Sequence, residues 1–303
     1  MTEFFRASIR MMTPLLLAAL GGCWTLQTGI LNISQEGAML LGAFFAAVGS
    51  HFLGSWVGGL LCGVAAAVAF NLLFAFFCVN LRANIWVVGM TLNILAESLS
   101  VLLLKSIFHV KGYFSSPFME KIPDVDLGEL SGALDRMAGD FSLVVWATFL
   151  GALAMLWVDR KSVLGLRLKA AGENEEALTA AGVSVFRLRY FALILNGVLV
   201  GVAGSFLSIS YLTLFNQGMS GGRGWMAVAA VIFGDGKLGT TLGAAAVFGL
   251  AQAWGNALQN AGVNSNGTLM LPYGCILGAL FWKALRARRA RLLQERREIS
   301  HDV

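Results

Sequence analysis

The sequence contains little charge. Asp, Glu, Lys and Arg make up 13% of its 303 residues, against about 25% in soluble domains. Hydrophobic residues make up 57%, and several apolar stretches reach about 20 residues, the length that a helix needs to cross a bilayer. The composition therefore excludes an ordinary soluble domain and predicts an all-α, polytopic transmembrane helical bundle. The net charge of +5 does not indicate nucleic-acid binding, because the basic residues cluster at the ends of apolar stretches.

Motifs of enzyme chemistry and cofactor binding are also missing. The three histidines form no H-E-x-x-H, no G-x-x-x-x-G-K-[ST] loop is present, and the four cysteines include no C-x-x-C pair. Gly222 to Ala227 matches G-x-G-x-x-A but lacks the strand–helix setting of a dinucleotide site. A membrane enzyme acting on lipids would need paired carboxylates or a His/Asp set, and neither is found. We therefore expect no catalytic residue, no metal site and no cofactor bound by this chain.

The apolar stretches predict about 8–10 membrane segments in a single transmembrane domain, residues 1–303. They cover approximately residues 11–31, 34–53, 55–79, 84–108, 141–159, 188–213, 222–235, 238–258 and 267–285. The second of these opens with the polar sequence Ser-Gln-Glu, and the seventh is too short, at 14 positions, to cross as one helix. Broken or half-length segments are typical of transporter pathways, so we expect broken or re-entrant helices here.

The basic residues predict the orientation of the chain. The tail 286–303 and the loop 160–189 are rich in Lys and Arg, which places both in the cytoplasm. The acidic loop 109–140 is then outside. Arg6 and Arg10 suggest a cytoplasmic N-terminus, which leaves one apolar segment too many before the acidic loop. Either a segment around residues 29–40 is broken or re-entrant, which we favour, or the N-terminus is outside.

The longest polar interruption, Gly165 to Arg189, contains the pattern of a short helix. Asn174 is a suitable N-cap, Glu175 falls in the first turn, where negative charge favours the helix dipole, and Gly182 is a natural C-terminal stop. Such a helix has roughly two turns and is too short to be stable alone. Its alanine-rich face suits docking in a shallow cleft of another protein, and the alternative is an ordinary connecting loop with one helical turn.

Charged residues inside the apolar stretches are the first candidates for a pathway. Among them we single out Glu36, Glu97 and Arg223, and each costs at least about 2.5 kcal/mol in the bilayer unless it meets a partner or water. Because Glu36 and Arg223 open the two broken segments, we expect them to flank a central path, either paired or separate. The alternative places each at a helix end in the interfacial zone.

Other polar or amphipathic side chains accompany these charges. The further candidates for a substrate path are Asn32, Gln35, Asn93 and Trp225. Amides at such positions bond either a polar solute or a neighbouring helix, and Trp225 either stacks on a flat ligand or anchors the chain at the membrane interface. Residues 36–39 and 223–226 occupy similar positions, because each follows a polar break and opens a short apolar stretch. This similarity indicates either an inverted repeat or chance.

Three motifs resemble a known family. They are ILNISQEGAMLLGAFFA from residue 30, LKAAGENEEALTAAGV from residue 168 and GRGWMAVAAVIFG from residue 222. In this order they are similar to the permease subunits of bacterial ABC importers, in the branch of ribose-type sugar, branched-chain amino-acid and nucleoside permeases. The N-I-x-x-E-G and G-R-G-[FW] forms look most like the nucleoside permeases, which work beside basic-membrane-protein-type lipoproteins or binding proteins.

The resemblance implies partners and roles. The family's cytoplasmic coupling loop docks on a separate ATP-binding subunit, which uses ATP and Mg. The residues of this chain that match the family's loop are Gly172, Glu173, Asn174, Ala180, Ala181 and Gly182. Glu175, in the first turn of the predicted short helix, is added to this set. The first and third motifs lie near the translocation path. The expected partners are that ATP-binding subunit, a second homologous permease in a heterodimer, an extracytoplasmic binding protein or lipoprotein and the lipid bilayer, with no nucleic acid.

The expected function is a transport subunit of the plasma (inner) membrane, with a cytoplasmic C-terminus, that passes a nucleoside or purine-like solute and is not itself an enzyme. The alternatives are the same type of permease for a ribose- or galactose-like sugar, and an ion-coupled secondary transporter. The last would use Glu36 or Glu97 for protons and would need no ATP-binding partner.

Overall fold

The computed structural model describes residues 2–125, 141–262, 267–268, 270–281, 283, 285 and 288. Its helices are α1 (Thr2–Gln27), α2 (Gln35–Leu53), α3 (Trp56–Ala75), α4 (Ile85–Phe108), α5 (Leu143–Lys161), α6 (Val163–Glu173), α7 (Glu175–Ala180), α8 (Val185–Phe206), α9 (Arg223–Gly234), α10 (Leu238–Asn260) and α11 (Leu271–Phe281). Single π-helical turns, Phe76–Asn80 and Leu207–Tyr211, extend α3 and α8. The predicted all-α bundle is confirmed.

Six of the described helices are long and apolar enough to cross a membrane. They are α1 to α5 and α8, with α3 and α8 including their π-helical turns, while α9 and α11 are apolar but shorter. Each predicted apolar stretch corresponds to one helix, and the half-length stretch 222–235 is the short helix α9. The core forms where α1, α2 and α8 pack together, and α3 packs against α2 and α8. Glycines permit the close approach there, since a Cβ on Gly42 would lie 3.2 Å from the Cα of Gly201.

Short two-residue strands join loops at one end of the bundle. The strand β1 (Tyr113–Phe114), which follows α4, pairs antiparallel with β4 (Phe215–Asn216), which follows α8. Beside them β2 (Asp124–Val125) pairs with β3 (Phe141–Ser142), which precedes α5. This end, the β end, therefore includes the described part of the predicted outer loop 109–140. Residues 126–140 of that loop, and the tail 286–303 apart from position 288, lie outside the described residues.

The opposite end, the coupling end, is where α1 and α5 finish. The amide nitrogen of Gln27, the last residue of α1, donates to the carboxylate of Asp159 in the last turn of α5 at 2.8 Å. It also donates to the carbonyl of Gly236, between α9 and α10, at 2.8 Å. The 160–189 loop leaves from this same end. Because α1 finishes here, it begins at the β end.

The suggestion of an N-terminus on the same side as the 160–189 loop is therefore wrong. Arg6 lies 3.9 Å from Glu3 in an ion pair, and Arg10 lines a small cavity with Asp124 of the outer loop. Arg6 and Arg10 therefore lie at the β end, near the acidic residues Glu3 and Asp124. The break between α1 and α2, residues 28–34, is present as well, but it does not change the segment count, because the chain still returns through α2 to the β end, where Ser50 bonds Glu120.

Candidate functional site

The break between α1 and α2 is held by three asparagines. The amide nitrogen of Asn32 donates to the side-chain oxygen of Asn196 at 2.8 Å and to that of Asn71 at 3.2 Å. Asn71 donates to the same oxygen of Asn196 at 2.8 Å. All three side chains are fully buried, so they tie the non-helical segment to α3 and α8. Amides in this role replace backbone hydrogen bonds that a broken helix loses inside a bundle.

The start of α2 is held from a second side by α4. The side-chain oxygen of Asn93 accepts from the backbone N–H of Gly37 at 2.8 Å, and its nitrogen donates to the carbonyl of Ile33 at 2.9 Å. One amide thus satisfies a free donor in the first turn of α2 and an acceptor in the break before it. Asn93 is only partly buried, and its side chain also reaches a cavity.

The carboxylate of Glu36 caps the N-terminus of α9. One oxygen accepts from the N–H of Gly222 at 2.8 Å, and the other accepts from Gly224 at 2.7 Å and from Trp225 at 3.4 Å. These are the donors that the first turn of a helix leaves free, and the helix dipole adds a favourable field for the negative charge. The charge of Glu36 within the bundle is therefore compensated by α9 itself.

Arg223 has different partners. Its guanidinium donates to the carbonyls of Met219 and Ser220, each at 3.2 Å, and contacts the sulfur of Met11 at 3.7 Å. In the part of the chain that the structure describes, no ion pair joins Arg223 to Glu36. The two side chains lie at the start of α9 and each is bound separately, so the expectation that they flank a central path stays a prediction.

A cavity of about 490 Å³ opens beside this junction. It is lined by Glu36, Gly37, Leu40, Met90, Asn93, Ile94, Glu97, Gly218, Ser220, Gly221, Gly222 and Trp225. Of the six predicted path residues, Glu36, Asn93 and Trp225 line it. Asn32 and Gln35 are fully buried behind it, and Arg223 lies outside the lining.

Two parts of the lining were not predicted. Met90 and Ile94 belong to the apolar surface of α4 and carry no signal in the sequence. The loop from Gly218 to Gly222 does carry one, because three glycines in five positions between two apolar stretches indicate a tight, non-helical turn. All three have positive φ angles, from 55° to 79°, in the left-handed region that glycine tolerates best.

The predicted short helix in the coupling loop is present as α7. The side chain of Asn174 accepts from the N–H of Ala177 at 2.9 Å, so the predicted N-cap is confirmed. Gly182 has φ +78°. Its N–H bonds the carbonyl of Thr179 at 2.9 Å, and that of Val183 bonds Leu178 at 3.2 Å, the pattern of a Schellman C-cap. Residues 172–182 are exposed except for Leu178, which leaves the short helix open to a partner.

The sequence model of one protein family matches most of the chain. That family is described as "Branched-chain amino acid transport system / permease component", and the match runs over residues 5–280. Among solved structures, a chain of "PsaBC from Streptococcus pneumoniae in complex with Fab" is similar with a TM-score of 0.51 at 14% identity, covering 91% of this chain and 90% of that one. At this identity the likeness concerns the fold alone.

Three curated relatives are similar in sequence. A protein of Haloferax volcanii named as a glucose ABC transporter permease, TsgC13, is 32% identical over 257 residues, 82% of this chain and 75% of that protein. The guanosine ABC transporter permease NupQ of Bacillus subtilis is 30% identical, covering 79% and 77%. The nucleoside ABC transporter permease NupC of Lactococcus lactis is 31% identical, covering 73% and 72%.

Proposed function

The chain belongs to the branched-chain amino acid transport system / permease component family, as a permease subunit of an ABC importer, and we propose that it passes an uncharged, nucleoside-type solute. The observation that carries this proposal is the occupancy of the α9 N-terminus by Glu36. Two relatives named for guanosine or nucleosides support the same solute class.

The N-terminus of a half-length helix in a transporter is a natural site for an anionic group of the substrate. Here the carboxylate of Glu36 already accepts from the N–H groups of Gly222 and Gly224. A second carboxylate, that of Glu97, lines the same cavity, and no Lys, Arg or His is among its described lining residues. A solute with a carboxylate or phosphate would meet repulsion without a counter-charge. Nucleotides are therefore disfavoured, and the carboxylate of an amino acid would find no counter-charge among the described lining residues.

The remaining walls suit a flat, neutral, polar solute. Trp225 offers an indole face, Met90 and Ile94 offer apolar surface, and Asn93 offers an amide. A nucleobase stacks on an aromatic ring and bonds an amide through its edge. A monosaccharide is the second candidate, because the Haloferax relative is named for glucose and a sugar is equally uncharged.

A second permease closes the open side of the cavity. Glu97 is exposed at the middle of α4, a helix of 24 residues that is long enough to cross the membrane. A carboxylate at that depth is not stable against lipid. A homologous partner covering this face would place Glu97 in a shared aqueous path. The open side of the cavity supports a second permease, and the resemblance to nucleoside importers, which pair two different permeases, favours a heterodimer.

The transport cycle is one of alternating access. A binding protein delivers solute at the β end, and an ATP-binding subunit that uses ATP and Mg docks on residues 172–182. The basic loop 160–189 and the basic tail place the coupling end and the C-terminus in the cytoplasm. Closure of the ATP-binding subunits would displace α7 and change which end of the cavity is open.

The test is uptake into proteoliposomes that contain this chain with the ATP-binding subunit, second permease and binding protein encoded beside it. We expect ATP-dependent uptake of labelled guanosine or adenosine, with no competition from leucine or from the corresponding monophosphates. Competition by leucine or a nucleotide would contradict the neutral-solute proposal, and uptake of glucose or ribose alone would favour the second candidate. Uptake by the isolated chain without ATP would support the ion-coupled alternative.

A further inference from the structure

The end of α1, the break that follows it and the start of α2 together contact α9 at both of its ends. At one end, Glu36 caps the first turn of α9. At the other, the amide of Gln27 donates to the carbonyl of Gly236, two residues beyond the end of α9, at 2.8 Å. α9 has 12 residues, which corresponds to about 18 Å. Residues 27–36, here called the α9 brace, therefore span the whole length of this half-helix.

The coupling loop contacts the α9 brace directly. The backbone of Gly172, at the end of α6, lies so close to the carbonyl of Gln27 that a Cβ at position 172 would collide with it, and that Cβ would also lie 3.0 Å from the nitrogen of Gly29. The close approach requires glycine at position 172. The contact places the elbow between α6 and α7 against the first residues of the brace.

Arg189 joins α7 to the same point. Its guanidinium meets both carboxylate oxygens of Glu175, the first residue of α7, at 2.9 and 3.4 Å. Its Nε donates to the backbone carbonyl of Thr28 at 3.2 Å. The planar fork of arginine fixes the relative positions of the groups that it binds, which a lysine does not do. A displacement of α7 therefore reaches the carbonyl of Thr28 through the guanidinium group of one side chain.

The first residue of the brace is also anchored to α5 and α6. Gln27 donates to Asp159 at 2.8 Å, and the carboxylate of Asp159 pairs with Lys169 of α6 at 2.9 Å. Asp159 is 7% exposed in this pair, so the anchor is shielded from solvent. The helices α5, α6 and α7 and the α9–α10 turn thus converge on two consecutive residues, Gln27 and Thr28.

We propose that Arg189 and Gln27 are positioning residues that pass the movement of α7 to α9, and so to Trp225 in the cavity. This inference rests on the proposed function, because it requires an ATP-binding subunit that displaces α7. The route is a chain of direct contacts from Glu175 through Arg189, Thr28 and the brace to both ends of α9. The ion pair itself contributes little to stability, because the side chain of Glu175 is 53% exposed and that of Arg189 is 22% exposed. Its role is geometric.

The experiment uses the full complex, with Met90→Cys as a reporter in a chain whose native cysteines are replaced by alanine. Met90 lines the cavity and is 49% exposed. The rate at which a membrane-impermeant maleimide labels this cysteine is measured with and without ATP and vanadate. ATP hydrolysis, co-purification of the ATP-binding subunit and solute uptake are measured on the same preparations.

In Arg189→Gln we expect normal co-purification of the ATP-binding subunit and normal basal ATP hydrolysis. We expect the ATP-dependent change in labelling rate and the solute uptake to be reduced about fivefold or more. Arg189→Lys, which keeps the charge but not the planar guanidinium group, should give values between those of the unmodified protein and those of Arg189→Gln. Gln27→Leu, which removes the bonds to Gly236 and Asp159, should give the same uncoupling. Arg187→Gln is the matched control, because Arg187 lies two residues earlier on α8 and is exposed.

Wild-type labelling changes and uptake in Arg189→Gln, or in Gln27→Leu if the first variant does not insert, would overturn the inference. Loss of the ATP-binding subunit from Arg189→Gln would also overturn it, because Arg189 would then belong to the docking surface. If the unmodified complex itself shows no association with an ATP-binding subunit and no ATP-dependent change, the proposed function fails and this inference fails with it. The variants and the unmodified complex thus separate the two failures.

Discussion

At the scale of single residues, the two carboxylates of the cavity have different tasks. Glu36 accepts three backbone N–H groups at the start of α9. Glu97 is exposed on α4 and lines the same cavity; its side chain makes no hydrogen bond or ion pair with the described residues. Sequence reasoning singled out both as charges in apolar stretches but had no means to separate them, because the partner of Glu36 lies 186 residues further along the chain.

Glu36→Gln is expected to destabilise the protein by about 1–3 kcal/mol. The substitution removes a charge that the helix end stabilises and turns an NH₂ group toward backbone donors. Thermal unfolding of the purified chain in detergent measures the effect. Glu97→Gln is the matched control and should change stability by less than about 0.5 kcal/mol. Equal effects of the two substitutions would contradict the assignment of Glu36 as the cap of α9.

The buried amides show a second limit at the residue scale. Asn32 and Gln35 were predicted to line a path because they are polar residues beside an apolar stretch. Both are fully buried behind the cavity, Asn32 in the asparagine cluster and Gln35 against Gly22 of α1. Polarity in a membrane segment indicates that a partner exists, but not whether that partner is solute or another helix. Their part in transport stays a prediction.

At the scale of elements, the sequence predicted those features that depend only on residues close together in the chain. The cap at Asn174 and the stop at Gly182 were readable because N-caps and Schellman motifs involve residues within one turn. The apolar stretches predicted the positions of the long helices, because the length and apolar composition needed to cross a membrane are properties of each segment alone. The side on which α1 begins was not readable, because counting basic residues assigns Arg6 and Arg10 to the cytoplasmic side, whereas both lie at the β end.

The contact between α2 and α9 gives a prediction at this scale. These helices begin side by side and run to opposite ends of the bundle, as an inverted repeat requires. Their backbones touch at Gly224, where a Cβ would lie 2.5 Å from the Cα and the nitrogen of Glu36. Because backbone atoms cannot move aside as a flexible side chain does, Gly224→Ala should cost about 1–3 kcal/mol of stability.

Gly243→Ala is the control for Gly224→Ala. Gly243 also lies inside a helix, α10, but nothing stands within 4 Å of its added Cβ. Alanine is favoured over glycine in a helix, so this change should be neutral or stabilise by up to about 1 kcal/mol. Thermal unfolding of both variants in the same detergent measures the difference in their stability. A Gly224→Ala protein as stable as the Gly243→Ala protein would mean that α2 and α9 do not meet as closely as described.

At the scale of the whole molecule, α1 connects the β end of the bundle with the coupling end. The contacts of Gln27 with Asp159 and Gly236 place the end of α1 beside the coupling loop. Its first residues therefore belong to the β end, where a binding protein would deliver solute. The proposed cycle depends on this arrangement, because the ATP-binding subunit must act on the brace from the side opposite to solute entry.

Cysteine labelling in intact cells tests this arrangement. Glu3 has an exposed side chain at the start of α1, and Thr179 is exposed in α7. With the native cysteines replaced by alanine, a membrane-impermeant maleimide should label Glu3→Cys in intact cells and Thr179→Cys only after permeabilisation. Permeabilised cells, in which both should react, are the control for accessibility. Labelling of both from one side would contradict the path of α1, whereas labelling with the two sides exchanged would keep the fold but place residues 172–182 away from any cytoplasmic ATP-binding subunit.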